Sequence, residues 1–332
     1  MTDLGQLSTL LIYGAMAAYT VALVAFAVDL SGLRDRGPAE RRRKAVGIAM
    51  STTVVGAALH LLGVVTRGVA AGRVPWANMY EFSILFSLVA VLVFLGLQRG
   101  RDLRFLGTFV IGLVLLMLGI AVSVLYVRAD GVPPALDSYW LVIHVSIATI
   151  ATGVLAVGAV LSVVQLVQER SELRRAARAS VQVAEPALAG AAGLTAEETA
   201  GAGAAGAEGA TGAATRPGRW SRLMESAPSS AEFERLAYRL NAVGFMLWTF
   251  TVIAGAIWAE HAWGRPWGWD PKETWSFVIW VVYAAYLHAR ATRGWEGRRA
   301  AYLSIFGFVC VLANYFLVNL LFNSLHAYSG IG

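Results

Sequence analysis

The sequence predicts an all-α polytopic membrane protein with about eight transmembrane helices. Of its 332 residues, 57% are hydrophobic and only 14% are charged, whereas soluble domains contain about 25% charged residues. Apolar runs recur along the chain, and several reach the ~20 residues that a helix needs to cross a bilayer. The first run is itself long enough to span and no basic segment precedes it, so we expect no cleavable signal peptide.

The apolar runs divide the chain into two groups of helices. The predicted spans are 8–30, 46–66, 79–98, 105–127, 140–168, 236–258, 274–291 and 301–323. Residues 1–168 therefore hold five spans and residues 235–332 hold three. Within the connection 169–234, residues 187–215 contain 13 Ala and 7 Gly and no aromatic residue. Such a composition predicts a long, largely disordered cytoplasmic linker, followed by a helix that Ser229 and Glu232 start as a capping box.

The distribution of Lys and Arg predicts the orientation of the spans. One set of connections carries 21 of these residues and the other carries five. Because positive residues collect on the cytoplasmic side, both termini are expected to face outward. The net charge of +6 is then explained by attraction to anionic membrane lipid, without a nucleic acid partner. The five outward cations are Arg67, Arg73, Arg128, Arg265 and Lys272.

Most of these outward cations are interpreted as solvated loop charges, and one or two as partners for carboxylates on a ligand. Asn314, Asn319 and Asn323 form a polar strip in the last span. This strip is expected to face the inside of the bundle and to serve helix packing.

Four tryptophans mark the connection between the sixth and seventh spans. Trp263, Trp267, Trp269 and Trp275 fall within thirteen residues, on the predicted external side and inside a tryptophan-rich segment that covers 258–275. An interfacial aromatic belt needs only one or two rings at each helix end. This cluster instead predicts a platform on which a flat aromatic ligand stacks.

Two acidic motifs are interpreted as helix starts. In Asp270-Pro-Lys-Glu273, Asp is suited to the N-cap, Pro to the first turn and Glu to the third helical position. An acid pair for proton transfer is the alternative, and capping is favoured. The cap would still matter for binding, because it decides where the tryptophans point. Asn78-Met-Tyr-Glu81 is interpreted in the same way at the start of the third span.

The histidines are candidate metal ligands. His144 lies near the outer end of the fifth span and His326 just past the eighth, and two neutral imidazoles from separate helices suit iron. His60 and His261 lie at a similar depth, and the sequence alone does not rank the four.

His288 lies much deeper than the other histidines. It follows Glu273 by fifteen residues, about 22 Å along a helix, so it falls in the inner half of the membrane. An ionisable residue there is a functional candidate, with a snorkelling position as the alternative. A metal at His288 would need a second histidine from another polypeptide. The single cysteine, Cys310, lies within an apolar run, so thiol chemistry would also require other proteins.

The tryptophan segment resembles a known family signature. Trp-Gly-x-x-Trp-x-Trp-Asp-Pro-Lys-Glu-Thr-Trp is similar to the WWD motif of haem-handling proteins of cytochrome c maturation. The eight spans, Asn78-Met-Tyr-Glu81, Tyr286-Leu-His288 and the C-terminal Asn-Ser-Leu-His-Ala-Tyr-Ser-Gly resemble the CcsA (ResC) branch of system II. The resemblance leaves out the linker, which looks like an insertion.

The resemblance implies which residues bind haem b. It implies that His144 and His326 are the axial ligands of an outward-facing haem, and that His288 ligates a deeper haem together with a histidine of a ResB/CcsB-type membrane protein. Trp263, Trp267, Trp269, Asp270 and Trp275 match the haem-binding signature. It assigns no ligand role to His60 or His261.

The resemblance also implies a function in the bacterial cell membrane. As a subunit of a holocytochrome c synthase with its ResB/CcsB-type partner, the chain would move haem outward and present it to the CxxCH segment of apocytochrome c. Thiol-reducing, thioredoxin-like proteins would keep the thiols reduced. The alternatives are a haem carrier that passes haem to a separate ligase, and a small-molecule transporter that does not bind haem.

Overall fold

Eight long helices form the part of the chain that the structure describes. The computed structural model describes residues 3–35, 39–100, 102–129, 138–196, 227–322 and 325. The helices are α1 (Asp3–Asp35), α2 (Ala39–Ala71), α3 (Met79–Leu97), α4 (Leu106–Ser123), α5 (Tyr139–Ala196), α6 (Ser230–Trp263), α7 (Pro271–Arg293) and α8 (Arg298–Ala313). A π-helical turn, Asn314–Val318, and a short helical stretch, Asn319–Leu321, continue α8. No strand occurs in these ranges, so the predicted all-α membrane fold is confirmed.

Seven of the eight helices are long and apolar enough to cross a membrane. The exception is α7, whose 23 residues extend about 34 Å at 1.5 Å per residue. Its length is sufficient, but Lys272, Glu273, His288 and Arg290 lower its apolar character. This polar composition is why the structure yields seven candidate spans where eight spans were predicted.

The fifth helix extends beyond its predicted end. The sequence places the end of the span at 168 and a disordered linker after it, whereas α5 continues to Ala196. Glu, Arg and Ala, which favour helix, dominate the first turns of this extension. Glu169 accepts a hydrogen bond from Arg298 and Glu172 accepts two from Ser230, which ties the extension to α8 and α6. The remainder of the predicted linker, 197–226, lies outside the described residues. The predicted capping box of Ser229 and Glu232 is confirmed.

Helix α5 lies at the centre of the bundle and separates two apolar clusters. Val157 and Leu161 pack with α1–α4, whereas Leu155 and Ala159 pack with α6, α7 and α8. Close helix approach in membranes depends on small residues, and Gly244 of α6 provides one. A Cβ there would lie 2.4 Å from Leu155 Cδ2, so a larger residue would force Leu155 or the helices to shift.

The helix connections divide between two ends of the bundle. One end, here called the tryptophan end, contains residues 72–78, 124–129 and 264–270. The opposite end, here called the basic end, contains 98–100, 102–105 and 294–297. This alternation follows from the consecutive antiparallel helices and agrees with the predicted order of the spans.

A buried charge network stabilises the tryptophan end. Glu81 is fully buried and accepts hydrogen bonds from Arg67 Nε at 2.8 Å and Arg73 Nη1 at 2.7 Å. Arg67 is 1% exposed and also donates to the carbonyl of Val127. The predicted cap is confirmed, because Asn78 Oδ1 accepts from the backbone N–H of Glu81. The interpretation of the outward cations as solvated is wrong for Arg67, since Glu81 neutralises its charge inside the protein.

Glu81→Gln is expected to lower the free energy of unfolding by about 3–5 kcal/mol, because it leaves two arginines without their buried carboxylate. The apparent melting temperature in detergent measures the effect. Asp102→Asn is the matched control, since its pair with Arg104 is exposed and exposed pairs contribute about 0–1 kcal/mol. Equal melting temperatures of the two variants would contradict a stabilising role for the buried network.

Candidate functional site

A cavity of about 190 Å³ lies at the tryptophan end. Its wall comes from α3, α5, α6, α7, the end of α8 with the π-helical turn and short helical stretch that continue it, and the connections before α3 and α7. Aromatic side chains form much of this wall: Trp76, Phe82, Trp248, Trp258, Trp267 and Tyr315. Mostly apolar, concave surfaces with a few polar groups are the usual form of small-molecule sites. The shape and composition therefore favour a large apolar ligand.

Of the four described histidines, His144 lines this cavity. Its Nδ1 lies 2.8 Å from the carbonyl oxygen of Thr251. A carbonyl only accepts hydrogen bonds, so Nδ1–H donates and the lone pair of the neutral ring lies on Nε2. The ring stacks on Trp258, with centroids 6.3 Å apart and an angle of 11° between the planes. Metal-binding histidines are oriented by a second-nitrogen hydrogen bond of this kind.

Gly255 allows this position of the imidazole. A Cβ at residue 255 would lie 2.7 Å from His144 Cε1 and 2.9 Å from its Nδ1. Helix α6 therefore approaches α5 closely enough for Thr251, one turn earlier, to accept the hydrogen bond. The absence of a side chain at Gly255 decides where the imidazole lies.

The other histidines occupy different places. His60 is fully buried between α1, α2 and α3, where its Nδ1 lies 3.3 Å from Tyr19 Oη. His261 is exposed, and its Nδ1 bonds to the carbonyl of Ile257 in its own helix. His288 is exposed on α7 and does not line the cavity. The predicted ligand His326 lies outside the described residues. The sequence did not rank these histidines as candidate ligands. In the structure His144 lines the cavity, whereas His60 and His261 do not.

One tryptophan of the predicted platform lines the cavity, namely Trp267. Trp263 packs edge-on against Trp258, with ring centroids 4.8 Å apart, and Trp275 packs into the apolar cluster between α5 and α8. Trp269 is 66% exposed and has a φ of 58°. The structure does not bring Trp263, Trp269 and Trp275 to the cavity wall, because the segment turns sharply between Gly264 and Asp270.

Most of the remaining aromatic wall was not predicted from the sequence, although Trp258 begins the predicted segment 258–275. Trp76 lies in the connection before α3, while Trp248 and Trp258 lie on α6. Trp248 is anchored by its Nε1, which donates to the carbonyl of Ser276 at 3.0 Å. Trp76 comes two residues before the capping residue Asn78. Its position next to a helix start is the one feature of the sequence that could have indicated a role in the site. Tryptophans that are far apart in the sequence, as Trp76 is from Trp248, give no local pattern that predicts a shared cavity.

The two acidic residues of the signature cap α7, as predicted. Glu273 Oε2 accepts the backbone N–H groups of Gly268 at 2.7 Å and Asp270 at 3.1 Å. Asp270 accepts the backbone N–H groups of Lys272 at 3.2 Å and Leu325 at 3.0 Å. Both carboxylates therefore hold backbone in place. Their geometry explains the shape of the tryptophan segment without assigning them to proton transfer.

A polar region forms one part of the cavity wall. Lys272 Nζ donates to the carbonyl of Asn314 at 3.1 Å and to Asn319 Oδ1 at 2.9 Å. Asn314 begins the π-helical turn that follows α8, and π-helical turns are frequent at functional sites. Asn314 and Asn319 face inward, as expected for the polar strip, but they contact a lysine at the cavity.

The described residues contain no group of three or more His, Cys, Asp or Glu side chains that would hold a bare metal ion. Of the described residues that line the cavity, His144 provides one imidazole nitrogen.

Comparison with known proteins gives a consistent match. The model of the cytochrome C assembly protein family matches residues 76–326. The fold is similar to that of a cytochrome c haem lyase, CcmF, with a TM-score of 0.64 and 14% sequence identity, covering 96% of this chain and 47% of that one. At this identity the likeness concerns the fold alone.

Curated relatives match a shorter region. The cytochrome c biogenesis protein CcsA of Thermosynechococcus vestitus is 55% identical over 95 residues, which are 29% of this chain and 30% of the relative. CcsA of Gloeobacter violaceus is 57% identical over 95 residues, 29% of this chain and 28% of the relative. CcsA of Prochlorococcus marinus is 52% identical over 99 residues, 30% and 31%. These alignments span less than one third of each relative.

Glu273→Ala is expected to loosen the tryptophan segment, because the N–H groups of Gly268 and Asp270 lose their acceptor. Losing a cap costs about 0.5–2 kcal/mol, so hydrogen exchange of a peptide covering 264–270 should become about tenfold faster. Mass spectrometry of exchanged, purified protein measures this rate.

Glu232→Ala is the matched control, since Glu232 closes the same kind of capping box at the start of α6. It should leave exchange in the tryptophan segment unchanged. Equal exchange in that segment for Glu273→Ala and the unmodified protein would show that Glu273 does not hold it.

Proposed function

Because the chain belongs to the cytochrome c assembly protein family, whose model covers residues 76–326, we propose that it is the haem-handling membrane subunit of a system II cytochrome c synthase. In this proposal the chain binds haem b as a substrate at the tryptophan end. It then presents the haem for attachment to the CxxCH segment of apocytochrome c. A ResB/CcsB-type membrane protein completes the synthase.

The position of His144 is the observation that carries the proposal. An imidazole with Nδ1–H donated to a carbonyl has its lone pair on the nitrogen that iron would bind. The indoles around it, among them Trp258 and Trp267, offer faces for a flat macrocycle. Histidine is a common ligand of haem iron, and the aromatic walls supply the surface for the ring.

The second axial ligand in this proposal is His326. Leu325 immediately precedes it in the chain, and the backbone N–H of Leu325 donates to Asp270. This contact supports a C-terminal ligand because it ties residue 325 to the tryptophan segment. Trp263, Trp269 and Trp275 take indirect roles in the proposal, by supporting the segment that carries Trp267.

His288 has a separate role in the proposal. Its exposed position on α7, shared with Phe277 and Val281, leaves it accessible to a neighbouring membrane protein. We assign His288 to a deeper haem, with the second histidine supplied by the ResB/CcsB-type partner. The tryptophan end then faces the outside of the bacterial cell membrane, and haem moves towards it.

The attachment reaction needs positioning more than acid–base catalysis. Each cysteine S–H of the CxxCH segment adds across one vinyl C=C bond of haem. A C–S bond forms, the hydrogen goes to the neighbouring vinyl carbon, and no external oxidant is required. Holding the reactants close supplies much of the rate enhancement for such a step. Thioredoxin-like proteins keep the thiols reduced beforehand.

Co-expression with the partner and an apocytochrome tests the function as a whole. Covalent haem on the apocytochrome, detected by its peroxidase activity after denaturing electrophoresis, is the expected result. Haem that stays bound to this chain without covalent transfer would favour the haem-carrier alternative. Purified chain without any haem spectrum would favour a transporter of another small molecule.

His144→Ala is expected to abolish the bis-imidazole absorption spectrum of haem at the outer site, because iron loses one axial nitrogen. Added imidazole should restore the spectrum by occupying the space of the missing ring. His261→Ala is the control, since that ring is exposed and bonds within its own helix. A normal spectrum for His144→Ala would refute the ligand assignment.

Gly255→Ala is expected to weaken haem binding about tenfold, or about 1.4 kcal/mol, because the new Cβ displaces the His144 ring. Absorption titration of the purified chain with haem measures the affinity. Gly119→Ala in α4 makes the same change where nothing lies within 4 Å of the new Cβ. If both variants bind haem equally well, the position of the imidazole does not control the affinity.

A further inference from the structure

The cavity wall contains one cationic side chain among the described residues that line it, Lys272. Lys272 is partly buried and lies two residues after the α7 cap Asp270. Its ammonium group donates to two neutral oxygens, the carbonyl of Asn314 and Oδ1 of Asn319. An ammonium has three N–H donors, so its third N–H remains for another acceptor.

The other cations predicted to face outward do not reach the cavity wall. Arg67 and Arg73 are bound to the buried Glu81. Arg265 Nη1 lies 3.9 Å from Glu273 Oε1, with its side chain 37% exposed. Arg128 is exposed. The sequence left open which outward cation would bind a carboxylate of a ligand. Among the described outward cations, Lys272 is the one that lines the cavity.

The two carboxylates nearest to Lys272 in the chain accept hydrogen bonds from backbone N–H groups. Asp270 accepts the N–H groups of Lys272 and Leu325. Glu273, which also lines the cavity, accepts those of Gly268 and Asp270. A partly buried ammonium is most stable beside a negative acceptor, and the two acceptors of Lys272, on the π-helical turn and on the short helical stretch after it, are neutral. An anionic group of a ligand would supply that charge.

We propose that Lys272, held in place by Asn314 and Asn319, is the carboxylate-binding subsite of this cavity. The subsite binds a carboxylate side chain of the flat ligand while His144 and the indoles bind its ring. This inference rests on the proposed function and adds to it a determinant of ligand orientation. A carboxylate held at Lys272 orients the macrocycle in its own plane, which an axial ligand alone does not do.

The test compares haem with haem dimethyl ester, in which both carboxylates are esterified. Full-length chain purified without haem is titrated with each compound in the same detergent, and the two dissociation constants are measured by absorption. The unmodified chain is expected to bind free haem about tenfold more tightly than the ester. Lys272→Gln retains an N–H donor for Asn319 but loses the charge. It is expected to weaken binding of free haem about tenfold and to leave binding of the ester unchanged.

Two variants control for effects on structure. Lys272→Arg retains the charge and should keep the preference for free haem. Arg265→Gln removes a cation from the same segment but outside the cavity wall, and should also keep it. If Lys272→Gln weakens both ligands equally, the lysine only supports the fold and the inference is overturned. The inference would also be overturned if Arg265→Gln lost the preference for free haem over the ester while Lys272→Gln kept it.

Failure of the proposed function gives a different result. Unmodified chain that binds neither compound would overturn both the haem proposal and the subsite that depends on it. Equal binding of free haem and ester by the unmodified chain, with a His144-dependent spectrum, would leave the haem proposal standing and overturn the subsite alone.

Discussion

The capping of α7 by two carboxylates is the interaction on which the shape of the site depends. Glu273 and Asp270 together accept four backbone N–H groups, from Gly268, Asp270, Lys272 and Leu325. The segment between α6 and α7 has no helical hydrogen bonds of its own. These four bonds hold it in a single conformation. The same conformation holds Trp269 at a φ of 58°, a backbone region that costs a non-glycine residue about 1–3 kcal/mol. The cap offsets that cost and directs Trp267 into the cavity.

Close helix packing provides the rest of the cavity. Gly244 brings α6 against α5, and one gap of the same interface, at Gly255, accommodates the His144 ring. Thr251 then orients that ring through its carbonyl. Membrane helices are held together by dispersion and by the packing of small residues. A glycine on a helix face therefore lets two helices approach closely, an effect that it would not have in a loop. Here it gives space to the His144 ring as well as to a neighbouring helix.

Charges inside the bundle serve two different purposes. In the Arg67–Glu81–Arg73 network both arginines donate to a carboxylate of the protein itself, so the network stabilises the connection that carries Trp76. Lys272 has only neutral acceptors on the neighbouring helical segments. A partly buried charge whose hydrogen-bond acceptors are neutral is costly, and this distinguishes Lys272 from the two arginines that donate to Glu81. Both kinds of residue looked alike in the sequence.

The sequence by itself determined the all-α membrane class, the order of the helices and the caps at Asn78, Ser229 and Asp270. Each of these depends on local patterns, namely apolar runs and residues three positions apart, which are visible along the chain. The extension of α5 to Ala196 was missed because contacts with α6 and α8 support it.

Only the tertiary structure decided which residues share the cavity. It brought His144 together with Trp76, Trp248, Trp258 and Lys272 from separate segments, and it placed His60, His261 and three of the signature tryptophans elsewhere. The physical reason is that a ligand site depends on which helix faces meet. Helix packing sets those faces through side-chain shape and glycine contacts, and no local pattern in the chain encodes them.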